Sequence, residues 1–273
     1  MSELKKRVVF AVIAAPLFIV VIWLGGWYFT SVMVAIALIV QWEMSCMFEK
    51  GNTRPNRVIM FLIGIWVMLL PVMPYTPQIG LGLFLLLVLT EIIRGVDRSY
   101  NSLVNTIFCG IYAPLGVLTI ILIRENIAGD GIAAFTLTLI VVFMVWGNDV
   151  FAYFVGKNFG KRLLAPKISP KKTWEGFIGG IAGSFVAFFL IYMIVPHFPY
   201  DLIHALPVIL LVSIFGPIGD LAASKLKRLY ETKDSSNIIP GHGGFFDRFD
   251  ALLLAAPAVY LYIEVMKIFG FIG

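Results

Sequence analysis

The stretch "IAAFTLTLIVVFMVWGNDVFAYFVG", Ile132 to Gly156, runs for 25 residues with one charged side chain, Asp149. A helix rising 1.5 Å per residue needs about 20 apolar residues to cross the hydrocarbon layer of a bilayer. Backbone N–H and C=O groups cannot go unpaired there, so the stretch predicts a membrane-spanning helix. It has no ten-residue alternation of the kind that marks a transmembrane barrel strand. The anomaly is Asp149. A carboxylate inside lipid costs about 2.5–3.5 kcal/mol, so it marks a functional candidate. The competing explanation is a structural hydrogen bond between helices, in which Asn148 would share.

Working outward, eight further stretches read the same way: 8–24, 28–48, 58–73, 79–93, 102–123, 175–195, 205–223 and 250–269. The chain is expected to be an all-α polytopic membrane protein with about nine transmembrane helices. Composition agrees. Of 273 residues 60% are hydrophobic and 14% charged, with mean hydropathy +0.93, where a soluble domain would carry about a quarter charged residues. The first residues, "MSELKKRVVFAVIAAPLFIVVIWLGG", begin like a signal peptide. The apolar run is long for one and further helices follow closely, so a retained first span is expected.

Charge placement orients these spans. With a cytoplasmic N-terminus and nine alternating spans, every Lys and Arg except Arg124 and Lys267 falls on an inside segment. That is a strong positive-inside bias. The formal net charge of +5 therefore belongs to the cytoplasmic face, where it suits anionic headgroups or nucleotide phosphates. No basic–aromatic pattern points to a nucleic-acid partner. Cys46 and Cys109 lack metal or redox spacing and read as buried, inert thiols. His197 and His204, in the outer loop "PHFPYDLIHALP", have no carboxylate cluster beside them and read as interfacial residues.

The chain divides near residue 127. Residues 1–127 hold about five spans with short loops and read as scaffold, with candidate dimer contacts. Glu43 and Glu91 lie there near cytoplasmic helix ends, where they are expected to reach water. Residues 128–273 hold about four spans and two polar cytoplasmic loops, 157–174 and 224–249.

Four polar stretches converge on that second half. The first is the Asn148–Asp149 pair. The second is "KISPKKTWEGFIGG": Pro170 breaks the chain, Thr173 can cap the next helix, and Lys171 and Lys172 add charge near a helix N-terminus that favours phosphate. The third is "GPIGDLAASKLKRLYETKD", in which Asp220, Ser224 and Arg228 share one helical face at four-residue steps, with Lys227 beside it. The fourth is "GHGGFFDRFD". Here Asp247 and Asp250 are three apart, His242 can orient or hydrogen-bond, and Gly243 and Gly244 let backbone N–H groups approach an anion. Asp149, Asp220, Asp247 and Asp250 are hard oxygen ligands suited to Mg²⁺. Acids that hold a cation, with Lys and Arg that hold phosphates, are what phosphoryl or nucleotidyl transfer requires.

The run Ser224-x-x-Lys227-Arg228-x₄-Lys233-Asp234, followed by His242-Gly243-Gly244-Phe245-x-Asp247-Arg248-Phe249-Asp250, resembles the signature of phosphatidate cytidylyltransferases, or CDP-diacylglycerol synthases. The "SPKKTWEG" and "ND" segments are similar to that family too. The resemblance implies Mg²⁺-dependent conversion of CTP and phosphatidic acid to CDP-diacylglycerol and pyrophosphate, in phospholipid biosynthesis. It implies a homodimer in the bacterial inner membrane with its active site facing the cytoplasm. On this reading Asp220 and Asp247 hold Mg²⁺, while Asp250 and Asp149 complete its shell or take a second cation. Lys227, Arg228, Lys233 and Arg248 neutralise phosphates, and Lys171, Lys172 and Thr173 bind another. Asn148, Ser224, Asp234 and the turn at Gly243 and Gly244 belong to the nucleotide-binding set, and His242 to the catalytic one. A CTP-dependent polyisoprenol or other lipid kinase is the nearest rival. A CDP-alcohol phosphatidyltransferase would need the pattern Asp-Gly-x-x-Ala-Arg-x₈-Gly-x₃-Asp-x₃-Asp, absent here. An ion-coupled transporter would place its acids near the bilayer midplane, whereas these crowd one edge.

Overall fold

The computed structural model describes residues 3–51, 53–95, 100–127, 131–195, 197–239 and 243–272. His242 and Arg98 lie outside the described residues. Helices occupy all nine apolar stretches: α1 (Glu3–Leu24), α2 (Gly26–Lys50), α3 (Arg57–Leu69), α4 (Thr76–Ile93), α5 (Tyr100–Leu122), α6 (Gly131–Phe159), α7 (Trp174–Ile194), α8 (Ala205–Leu229) and, after a four-residue α9 (Phe246–Phe249), α10 (Leu252–Ile268). Among the described residues six helical segments are long and apolar enough to cross a membrane: Gly26–Lys50, Thr76–Ile93, Tyr100–Glu125, Gly131–Phe159, Trp174–Ile194 and Leu202–Leu229. The protein is thus an all-α membrane protein.

Helices α6 and α7 pack along much of their length. Lipid tails are as apolar as leucine, so helices in a bilayer associate through close backbone approach, which small residues allow. Gly147 of α6 meets α7 in this way. A Cβ there would stand 2.8 Å from both the Gly183 carbonyl oxygen and the Ala187 Cβ. Helix α10 packs on α8 and α5, and α5 in turn on α2 and α3. One apolar core therefore includes Phe29, Met44 and Phe48 of α2 together with Phe188 of α7, Val208 of α8 and Val259 of α10. Helix α4 lies at the edge, with Leu87 its one buried residue.

The turn Ile123–Ile127 after α5 caps two helices at once. Buried Arg124 donates from Nε to the Ile22 carbonyl (2.7 Å) and from a terminal nitrogen to that of Trp23 (3.2 Å). Glu125 accepts from the Gly26 N–H (2.8 Å). A cation at the C-terminus of α1 and an anion at the N-terminus of α2 both match the helix dipoles. Arg124, one of the two basic residues that the expected topology leaves off the inside segments, is therefore a buried cap.

The loop after α6 holds a short antiparallel ribbon, β1 (Leu163–Ala165) with β2 (Ser169–Thr173). The sequence reading has no strand here, because three- and five-residue strands are too short to show a period. Pro170 is tolerated since a two-stranded ribbon consists only of edges. Cys109 is buried as expected, whereas Cys46 is only partly so and accepts a hydrogen bond from Arg57 (3.2 Å). His204 pairs with the Tyr262 hydroxyl at 2.8 Å.

Candidate active site

Helix α8 carries three of the candidates on one face. The Ser224 hydroxyl donates to Asp220 Oδ1 at 3.3 Å, one turn back. The other Asp220 oxygen, Oδ2, pairs with Lys172 Nζ at 2.6 Å. Lys172 reaches it from β2, in which the neighbouring Lys171 is exposed. The ribbon thus separates two lysines that sequence reading treats as a pair. Thr173 caps α7 as its spacing predicts, accepting from the Gly176 N–H at 3.1 Å.

Asp149, ten residues before the end of α6, has Asp220, Lys172 and Arg248 as charged neighbours. Asp250, buried just after α9, has Asp220, Lys227 and Asp149. Among the described residues Asp250 Oδ1 accepts only from the Ala251 N–H (2.7 Å). Acids from α6, α8 and the α9–α10 junction therefore converge among Lys172, Lys227 and Arg248. Asn148 points elsewhere. It is buried, and its Nδ2 donates to Ser184 of α7 (3.2 Å) and to the Ser213 carbonyl of α8 (3.4 Å). The interhelical bond weighed for this pair is made by Asn148, which leaves Asp149 free for the cluster.

Asp247 is held more tightly than any other acid of the cluster. Oδ1 accepts from Lys227 Nζ at 2.6 Å. Oδ2 accepts from Ser235 N (2.8 Å), Ser235 Oγ (3.0 Å) and Gly244 N (3.1 Å). Burial pushes its pKa up, but the Lys227 ammonium and the two backbone N–H groups outweigh this and hold the carboxyl below its ordinary value. Gly243 adopts φ +79, and a Cβ there would crowd the Asp247 carboxylate. Of the two glycines Gly244 brings its N–H to an anion, and in the folded chain that anion is Asp247 itself.

One acid of this region was misread from sequence. Glu43 of α2, expected to reach water, is completely buried. Its carboxylate accepts from Ser235 Oγ (2.9 Å), Ser236 Oγ (2.6 Å), Phe245 N (2.9 Å) and Phe246 N (2.8 Å). Glu43 lies seven residues before the end of α2, about 10 Å along a helix, and Ser235, Ser236, Phe245 and Phe246 close over it. Its signal in the sequence is the same as that of Asp149, a lone carboxylate in an apolar helix. Ser235 and Ser236 carry no such signal. Arg228, Lys233, Asp234 and Arg248 are exposed.

Hard oxygen donors of this kind suit magnesium. Among the described residues no three His, Cys, Asp or Glu side chains stand close enough to ligate one ion. Magnesium keeps several waters and is commonly held by one or two carboxylates together with substrate phosphates. The donor set fits that mode: Asp250 is a buried carboxylate with like-charged neighbours in Asp220 and Asp149.

Fold and site together define a helical membrane protein with an acid-and-lysine cluster suited to polyphosphate chemistry. The model of the cytidylyltransferase family matches residues 5–266. The chain is 34% identical to the phosphatidate cytidylyltransferase of Bacillus subtilis, over 98% of this chain and 100% of that protein. It is 30% identical to that of Thermotoga maritima over 98% of each. With the Aquifex aeolicus protein of the same name it shares 43% identity over 59% of this chain and 57% of that one. The chain belongs to the cytidylyltransferase family.

Proposed function

We propose that the protein joins CTP to phosphatidic acid at the membrane, giving CDP-diacylglycerol and pyrophosphate. The observation that carries this reading is the cluster of Asp149, Asp220 and Asp250 with Lys172, Lys227 and Arg248, built on helices that lipid solvates. A phosphate oxygen of phosphatidic acid attacks the α-phosphorus of CTP. The bond from that phosphorus to the bridging oxygen breaks, and its electron pair leaves with pyrophosphate. The nucleophile is already anionic, so no strong general base is needed. Catalysis rests on positioning and on charge neutralisation.

Lys172 and Lys227 are each paired with a carboxylate and can turn to incoming phosphate, while Arg248, Arg228, Lys233 and Lys171 supply further positive charge at the rim. Asp220 and Asp247 would hold magnesium together with substrate phosphates, and Asp250 and Asp149 would take a second cation; the ions would neutralise the triphosphate and the leaving pyrophosphate. The finer topology belongs to the same reading: nine spans, with the N-terminus and the active site on the cytoplasmic side of a bacterial inner membrane, and a homodimer. Charge placement supports it, since only Arg124 and Lys267 lie off the inside segments.

The test uses purified protein in detergent with phosphatidic acid and CTP labelled at either the α- or the γ-phosphate, with and without Mg²⁺. Label from the α position should enter the lipid, and chelation by EDTA should stop it. Lipid labelled only from the γ position would make the protein a lipid kinase and sink the proposal.

A further inference from the structure

We propose that Glu43, from the helix opposite the signature motif in the sequence, is a positioning residue for nucleotidyl transfer: it seats the loop that carries Asp247. This deepens the reading above and rests on it. Both Glu43 oxygens are engaged, Oε1 by Ser236 Oγ and Phe245 N, Oε2 by Ser235 Oγ and Phe246 N. Phe245 and Phe246 begin α9, which holds Asp247 and Arg248. The first N–H groups of a helix have no partner within it, and Glu43 supplies one.

The same loop is tied to Asp247 by a hydroxyl that lies between the two carboxylates. Ser235 Oγ lies 2.9 Å from Glu43 Oε2 and 3.0 Å from Asp247 Oδ2. A hydroxyl carries one hydrogen, so it donates to one carboxylate at a time and couples the position of each to the other. Gly244 fits the same arrangement. A Cβ there would collide with both Glu43 oxygens and with Ser235 Oγ, so the second glycine of the "HGG" turn is required by the carboxylate from α2. A fully buried carboxyl group needs hydrogen-bond partners for its oxygens. Here all four come from the loop and the start of α9, so Glu43 cannot be seated unless the loop is.

Glu43→Gln keeps the volume but turns an amide NH₂ toward donors. Turnover, KM for CTP, melting temperature and amide exchange of the 231–250 peptide are measured on purified wild type and variant. The expected result is a kcat lower by about 100-fold, the size associated with a misplacement of about 1 Å. KM should stay within about threefold, and faster exchange should be confined to the loop. Ser236→Ala removes one donor to Glu43 without touching Asp247. It should lower kcat about fivefold, as for one hydrogen bond, and add nothing in the Glu43→Gln background. A Glu43→Gln kcat within twofold of wild type overturns the proposal. So does a loss of activity that simply follows global unfolding. If Glu43→Gln does not fold, an unchanged kcat in Ser236→Ala overturns it. Absence of lipid labelling by the wild type would instead strike the reaction assigned above.

Discussion

Asp220 and Asp247 both face a lysine at 2.6 Å, yet removing them should have different consequences. The Lys172–Asp220 pair is a quarter to a third exposed, and such pairs contribute about 0–1 kcal/mol to stability. The Lys227–Asp247 pair is 13% and 6% exposed. Breaking a buried pair costs about 3–5 kcal/mol, because the remaining charge is stranded. Asp220→Ala should therefore lower turnover at least about 100-fold with little change in melting temperature. Asp247→Asn should lose both activity and stability. The pH dependence follows from the depressed pKa of Asp247. Its stabilisation is complete above the ordinary carboxylate value, about 3.9, and is lost only as pH falls through the lower folded value. The difference in melting temperature between wild type and Asp247→Asn should stay constant from about pH 5 to 8 and shrink below about pH 4. A difference that already shrinks near neutrality would contradict the depressed pKa. The sequence motif singles out Asp247 without revealing how much of its carboxylate serves the loop. That depends on Ser235 and Gly244, whose hydrogen bonds have no signature in composition.

At the scale of elements, the contact of α6 with α7 decides where Asp149 sits. Gly147 precedes the Asn148–Asp149 pair, and its backbone lies against Gly183 and Ala187. Gly147→Leu would force these helices apart at a cost of about 1–3 kcal/mol for overpacking and would carry Asp149 away from Asp220. The expected outcome is a lower melting temperature in detergent together with a lower kcat, read by thermal unfolding and the labelled-CTP assay. An unchanged kcat would mean that α6 can shift without disturbing the cluster. The helices themselves were legible, since a run such as Ile132–Gly156 has no other stable form in lipid. The cap at Thr173 was legible as well, because the side chain and the N–H it accepts are three residues apart. The ribbon at Leu163–Ala165 and Ser169–Thr173 was not. In β2 Lys172 is half-buried and reaches Asp220, while Lys171 beside it is exposed.

At the scale of the whole molecule, orientation is open to a direct measurement. Asn237 and Tyr75 are both exposed, in the loop over the site and at the start of α4. With Cys46 and Cys109 replaced, Asn237→Cys should react with an impermeant maleimide only in inside-out vesicles, and Tyr75→Cys only in right-side-out ones. The reverse pattern would overturn the cytoplasmic placement of the site. The sequence alone determined that this chain lives in a membrane, which stretches are helical, and that acids and bases with a phosphate-handling pattern lie together in its second half. These are local properties, set by the length of apolar runs and by spacings of three and four residues. Only the tertiary structure decided which carboxylate faces which lysine, that Asn148 bridges helices while Asp149 joins the cluster, and that Glu43 is buried. Those outcomes depend on partners up to 203 residues apart, and a buried charge is tolerated only where the packed chain brings it donors.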